Sequence, residues 1–95
     1  MLKSLKGGKE TEVIIYQLSK ASTSAGANYE ESQAAVSKAD FSNKIGISLK
    51  EMRESNYWLR IIKDLFPETE KIDTLVGESE ELGKILATIL IKSRR

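Results

Sequence analysis

Apolar and small side chains recur at steps of three and four over most of the chain, the signature of amphipathic helices rather than strands. Between Val13 and Val36, the positions Ile14, Leu18, Ala21, Ala25, Tyr29, Ser32 and Val36 fall on one helical face. The spacing predicts a first helix over about residues 11–36. Its middle, Ala21-Ser22-Thr23-Ser24-Ala25-Gly26-Ala27, has weak helix propensity, and Gly26 alone costs about 1 kcal/mol relative to alanine. Small side chains there would let another helix approach closely; a loop that divides the segment into two helices is the alternative.

Ser37-Lys38-Ala39-Asp40 places a hydroxyl three residues ahead of a carboxylate, an acidic relative of the capping box, so a second helix is expected from about 38 to 66. Phe41, Ile45, Leu49, Met52, Leu59, Ile62 and Phe66 then form its apolar stripe, and Pro67 ends it. At 100° per residue, Ile47, Trp58, Ile61 and Leu65 lie on a different side. One neighbouring helix cannot bury both stripes, so the second is expected at a subunit interface, with Trp58 as its anchor. Ile72, Leu75, Val76, Leu82, Leu86, Ile89 and Leu90 trace a third helix over about 70–93, acidic toward its start and basic at its end, the polarity that the helix dipole favours. The expected architecture is a single all-α domain over residues 1–95, an up-and-down helical bundle with three long helices.

Composition narrows the chemistry. Fifteen Lys and Arg against fourteen Asp and Glu leave a net charge of +1, too small a field to demand a polyanion as partner. The chain has no cysteine and no histidine, which removes disulfides, thiolate metal sites, the commonest metal ligand and the commonest general base. Serines are plentiful but lack an evident activating base, and Gly7-Gly8-Lys9 has neither the strand nor the spacing of a phosphate loop. No enzymatic activity, no cofactor, no metal and no small-molecule substrate are therefore expected. The longest mainly apolar stretch, Leu82 to Ile91, falls short of the ~20 residues that a membrane span needs, and Met1 to Lys9 lacks the apolar core of a secretory signal, so a cytoplasmic location is expected.

Three runs resemble a known family, the bacterial four-helix-bundle proteins encoded in 23S ribosomal RNA intervening sequences. Thr23-Ser24-Ala25-Gly26-Ala27-Asn28-Tyr29-Glu30-Glu31-Ser32-Gln33-Ala34-Ala35 looks like the family's second-helix signature, Ser37-Lys38-Ala39-Asp40-Phe41 like the start of its next helix, and Lys50-Glu51-Met52-Arg53-Glu54-Ser55-Asn56-Tyr57-Trp58-Leu59 like its third-helix signature. With weaker similarity toward Leu90, the resemblance spans about residues 13–92. It implies a bundle of four helices assembled as a homopentamer, and kinship with a nucleic-acid-binding accessory protein of diversity-generating retroelements. No enzymatic activity comes with it. Leu2-Lys3-Ser4-Leu5-Lys6 resembles only the last turns of the family's first helix, so residues 1–10 are expected to be a remnant of that helix and a loop. Three amphipathic helices without the fourth would expose an apolar groove. Either the chain then begins at an internal or misassigned start, or a neighbouring subunit fills the groove.

Lys50, Arg53, Tyr57 and Arg60 stand at offsets of three, four and three, so one helix face carries three cations and an aromatic ring. Such a face can hold phosphates while the ring stacks on a base. It can equally be a solvated surface with Lys50 paired to Glu54, and Asp64 on the same side weakens its field. Lys92, Arg94 and Arg95 form a short basic tail that fits either an acidic partner or helix capping. Asn28, Glu31, Lys44, Glu51 and Glu54 are expected to form a structural polar network that fixes register, since two carboxylates without histidine do not resemble a di-metal centre. Two functional readings stand. The first is a homo-oligomeric scaffold whose assembled surface binds RNA or DNA; the second is a purely structural or protein-interaction module.

Overall fold

In the computed structural model, which describes residues 8–95, the chain forms three helices, α1 (Lys9–Gln33), α2 (Lys38–Leu65) and α3 (Ile72–Ser93), with no strand among the described residues. No helix there is long and apolar enough to cross a membrane. Of the expected first-helix remnant, residues 1–7 lie outside the described residues, whereas Lys9 and Glu10 already belong to α1.

Contacts fix the directions of the helices. Leu18, early in α1, packs with Leu59 and Ile62 late in α2 and with Ile72 and Val76 at the start of α3. At the other end, Ile45 and Leu49 of α2 pack with Leu86 of α3, flanked by Phe41, Met52, Ala87, Ile89 and Leu90. The helices therefore alternate in direction, with α2 in the middle. Both outer helices pack chiefly on α2, and the second cluster contains no α1 residue. At that end an open groove separates α1 from α3.

The first helix runs unbroken through its weak middle. Ala21 and Ala25 are fully buried, and the Ser48 Oγ donates a 2.8 Å hydrogen bond to the Ala25 carbonyl oxygen, a helix approach that larger side chains would prevent. Ser32, Ser48, Ser55 and Ser79 are likewise buried, so the helix contacts are narrow and partly hydroxylic. Gly26, in contrast, faces open space: a Cβ added there would meet nothing within 4 Å. Tyr29 and Val36 are exposed rather than core. The inner face follows Leu18, Ala21, Ala25 and Ser32, with Asn28 half-buried beside it, and the helix stops at Gln33 because the chain must reverse before Ser37.

Ser37 caps α2 as its spacing implies. Its side chain accepts the Asp40 N–H at 3.0 Å, while the Asp40 carboxylate accepts the Val36 N–H at 3.3 Å. α2 ends at Leu65, with Phe66 as its C-cap ahead of Pro67. The turn into α3 passes through Lys71 at φ 65°, a left-handed conformation that a side chain adopts at a cost. Across this turn the Lys63 ammonium sits 2.8 Å from the Asp73 carboxylate.

Candidate nucleic-acid interface

Residues 50, 53, 57 and 60 share the side of α2 that faces away from α1, and α3 flanks that side. Antiparallel packing brings the polar edge of α3 against it. Two adjoining depressions result, of about 500 and 360 Å³, and Arg53 lines both. The larger is bounded by Arg53, Asn56 and Arg60 of α2 and by Glu80 and Lys84 of α3. The smaller is bounded by Asn43, Lys50 and Arg53 of α2 and by Leu90 and Arg94 at the end of the chain. Five cations thus line one continuous groove, opposed by one lining carboxylate, Glu80.

A hydrogen-bond relay orients one of them. Arg60 Nε donates to Asn56 Oδ1 at 2.8 Å, Asn56 Nδ2 donates to Ser79 Oγ at 2.9 Å, and the buried Ser79 hydroxyl donates to the Val76 carbonyl at 2.8 Å. The relay ties α2 to α3 and holds the guanidinium at the mouth of the groove, with its two terminal nitrogens outside the relay. Arg60 also lies 6.0 Å from the Tyr57 ring centroid, and that ring meets Trp58 edge-on at 5.0 Å. Tyr57 is half-exposed, one edge held and one face open. Among the described residues, Lys50, Arg53, Arg60 and Arg94 make no ion pair, whereas Lys84 lies 4.0 Å from Glu81.

The sequence pattern contains the α2 half of this groove and omits Lys84, Asn56 and Ser79. Lys84 belongs to an α3 stripe, Glu80-Lys84-Ala87-Ile91-Arg94, whose meaning depends on which α2 face it meets. Arg94, read from the sequence as part of a tail, instead stands beside Lys50 and Arg53.

The remaining residues singled out from the sequence separate into two groups. Ile47, Trp58 and Ile61 are half-buried and Leu65 is exposed, and Ile47 lines the smaller depression of the α2–α3 groove. Trp58 packs against the cluster of Leu18, Leu59, Ile62, Ile72 and Val76, which gives it a core role within the chain. Of the polar network, the structure joins only Lys44 and Glu31, at 3.5 Å. Asn28 donates to the Ser24 carbonyl of its own helix at 2.9 Å, and Glu51 takes part through its backbone carbonyl, which accepts from Ser55. The Glu54 side chain makes no hydrogen bond or ion pair within the described residues, where no group of three or more potential metal ligands gathers. At the α2–α3 turn, the hydrogen bond that the Lys63 ammonium donates to the Asp73 carboxylate, and then the Asp73 charge, raise the Lys63 pKa above the ordinary lysine value.

The 23S rRNA-intervening sequence protein family matches residues 2–88. The chain belongs to that family. A solved structure from Bacteroides thetaiotaomicron, described as a protein of unknown function from the S23 ribosomal protein family, superposes with a TM-score of 0.76 at 32% identity. The match covers 94% of this chain and 80% of that one. No curated protein matches the chain. The resemblance read from the three sequence runs is thus correct at the level of family.

Proposed function

We propose that this member of the 23S rRNA-intervening sequence protein family is a non-enzymatic helical scaffold that assembles with copies of itself and holds RNA or DNA by the phosphate backbone along the α2–α3 groove. The observation that carries the reading is the convergence of Lys50, Arg53, Arg60, Lys84 and Arg94 from two helices onto one groove whose lining contains a single acid. Lys50 to Arg60 spans about 15 Å of helix, a length over which one nucleic-acid strand presents roughly four phosphates. Tyr57 beside Arg60 adds a ring on which a base can stack. A net charge of +1 gives little attraction at a distance, so repetition of the groove in an assembly would supply the field that one chain lacks.

In the same reading, α1, α2 and α3 correspond to three helices of a four-helix arrangement, with the open groove between α1 and α3 on the fourth side. Exposed apolar side chains along that groove favour self-association. They also favour the second reading, a protein-interaction module with no nucleic-acid role. Light scattering after size exclusion, at low and moderate salt with and without a structured RNA, separates the two. The scaffold gives an oligomer that takes up RNA at low salt and releases it as salt rises; an oligomer indifferent to RNA at both salts refutes the nucleic-acid half.

A further inference from the structure

The cations of the α2–α3 groove line a trough between two helices and not the crest of one. Packed helices lie about 8–10 Å apart axis to axis, so the depressions of about 500 and 360 Å³ between α2 and α3 form a channel one chain wide. Two such helices side by side are about 20 Å across, too broad to enter the ~12 Å major groove of a duplex. A duplex therefore meets their crests, whereas a single sugar-phosphate backbone can lie in the trough between them. The α3 wall of that trough is low, because Gly83 and Ala87 line it, and a Cβ added at Gly83 would meet nothing within 4 Å.

The aromatic ring beside the trough selects the same ligand. Tyr57 stands one helical turn from Arg53 and one from Arg60, half-exposed, and meets Trp58 edge-on at 5.0 Å. A base stacked and paired inside a duplex has no face free for such a ring; an unpaired base has one. The amide at the floor of the larger depression is already engaged within the protein. Asn56 Nδ2 donates to Ser79 Oγ at 2.9 Å and to the Val76 carbonyl at 3.5 Å, while Asn56 Oδ1 accepts from Arg60. Asn56 thus orients a cation and keeps no edge of its own with which to read a base pair.

We propose that the occupant of the α2–α3 groove is a single-stranded segment of nucleic acid, its phosphates along the cations in the trough and one unpaired base stacked on Tyr57. The inference rests on the nucleic-acid half of the proposed function and narrows it from any RNA or DNA to unpaired strands. Ribose and deoxyribose strands share the phosphates and base faces on which it depends, so both bind.

Fluorescence anisotropy on the intact chain at low salt tests it, with labelled single-stranded RNA and DNA of one mixed sequence compared with the matching duplexes. Single strands of both kinds should bind at least about tenfold more tightly than either duplex. Gly83→Leu places a side chain in the trough without altering charge and removes a helical glycine, so helicity should be kept. It should weaken single strands about tenfold and leave duplexes unchanged. Tyr57→Ala should weaken single strands about tenfold as well, and Tyr57→Phe, which keeps the ring, should not. Duplexes that bind as tightly as single strands overturn the inference and leave the nucleic-acid reading standing; failure of every oligonucleotide to bind overturns both. Binding indifferent to Gly83→Leu removes the strand from the trough, and binding indifferent to Tyr57→Ala removes the base from the ring, so either result overturns the placement. A DNA strand ignored where RNA binds assigns recognition to the 2′-hydroxyl and overturns the account by phosphates and base faces.

Discussion

Ser48 of α2 donates a hydrogen bond to the Ala25 carbonyl of α1 at 2.8 Å, and each residue is about 1% exposed. This contact sets how closely the two helices approach, so its two sides should respond differently to substitution. Ser48→Ala removes one hydrogen bond but leaves the carbonyl inside a helix, and should cost about 1 kcal/mol. Ala25→Leu forces a larger side chain into a contact that has no room for it, and should cost about 3 kcal/mol or more. Urea unfolding of the two variants measures the difference; an Ala25→Leu protein as stable as the wild type would show that the helices are free to separate.

Gly26 sits one residue further on and should behave in the opposite way. It lies in the interior of α1 with open space where its Cβ would be. Gly26→Ala should therefore stabilise the chain by up to about 1 kcal/mol, raising the thermal midpoint measured by circular dichroism. The adjoining alanine cannot grow and the glycine can. That contrast is a property of the fold, invisible in a run of seven small residues.

The three helices, the Ser37 cap and the stop before Pro67 were all legible in the sequence, because each depends on side chains within one turn of one another. Core positions on α2 and α3 were legible for the same reason, apart from Leu82, which shares the α3 stripe but is exposed. Tyr29 and Val36 were misplaced because a step of four after Ala25 and a step of three both preserve a helical face, and only the position of α2 decides that Ser32 is the last residue inside. The basic groove was half legible: Arg53 and Arg60 share a helix face, whereas Lys84 and Arg94 join them only once α3 packs antiparallel to α2.

Trp58 should prove to be a packing residue within the chain. It lies against the cluster that joins all three helices, and its indole Nε1 is enclosed without a hydrogen-bond partner among the described residues. Trp58→Ala should cost about 2–3 kcal/mol, somewhat less than a fully buried aromatic because the ring is half-buried. Trp58→Phe keeps most of the contact and removes the unpartnered donor, so it should cost less than about 1 kcal/mol. Chemical denaturation monitored by helicity distinguishes the two, and equal losses would assign the indole nitrogen a partner.

Lys63 and Asp73 bridge the turn between α2 and α3 at 2.8 Å, and the pairing raises the lysine pKa. A raised pKa means that the folded state holds the proton more tightly than the unfolded one. Its contribution is therefore complete below the unfolded value, about 10.4, and is lost as pH rises through the folded value. Between pH 7 and 9, the gap in urea midpoint between the wild type and Lys63→Met should be small and constant, as befits an exposed pair. Above the ordinary lysine range the gap should close. A gap that widens with pH would contradict the assignment of Asp73 as the cause.

The α2–α3 groove makes the sharpest functional prediction, because it assigns equal standing to cations that only the fold brings together. Each cation that contacts a phosphate should lower the magnitude of the salt slope of binding by about one when removed, with little dependence on nucleotide sequence. Arg53→Ala, at the junction of the two depressions, and Lys84→Ala, on the opposite helix, should therefore have similar effects on a fluorescently labelled RNA titrated over a range of salt. Asn56→Ala changes no charge but releases the Arg60 guanidinium from its relay, and should weaken binding while leaving the salt slope nearly intact. If instead Arg53→Ala acts and Lys84→Ala does not, nucleic acid follows the exposed face of α2 alone. The groove would then be a consequence of helix packing and not a binding surface.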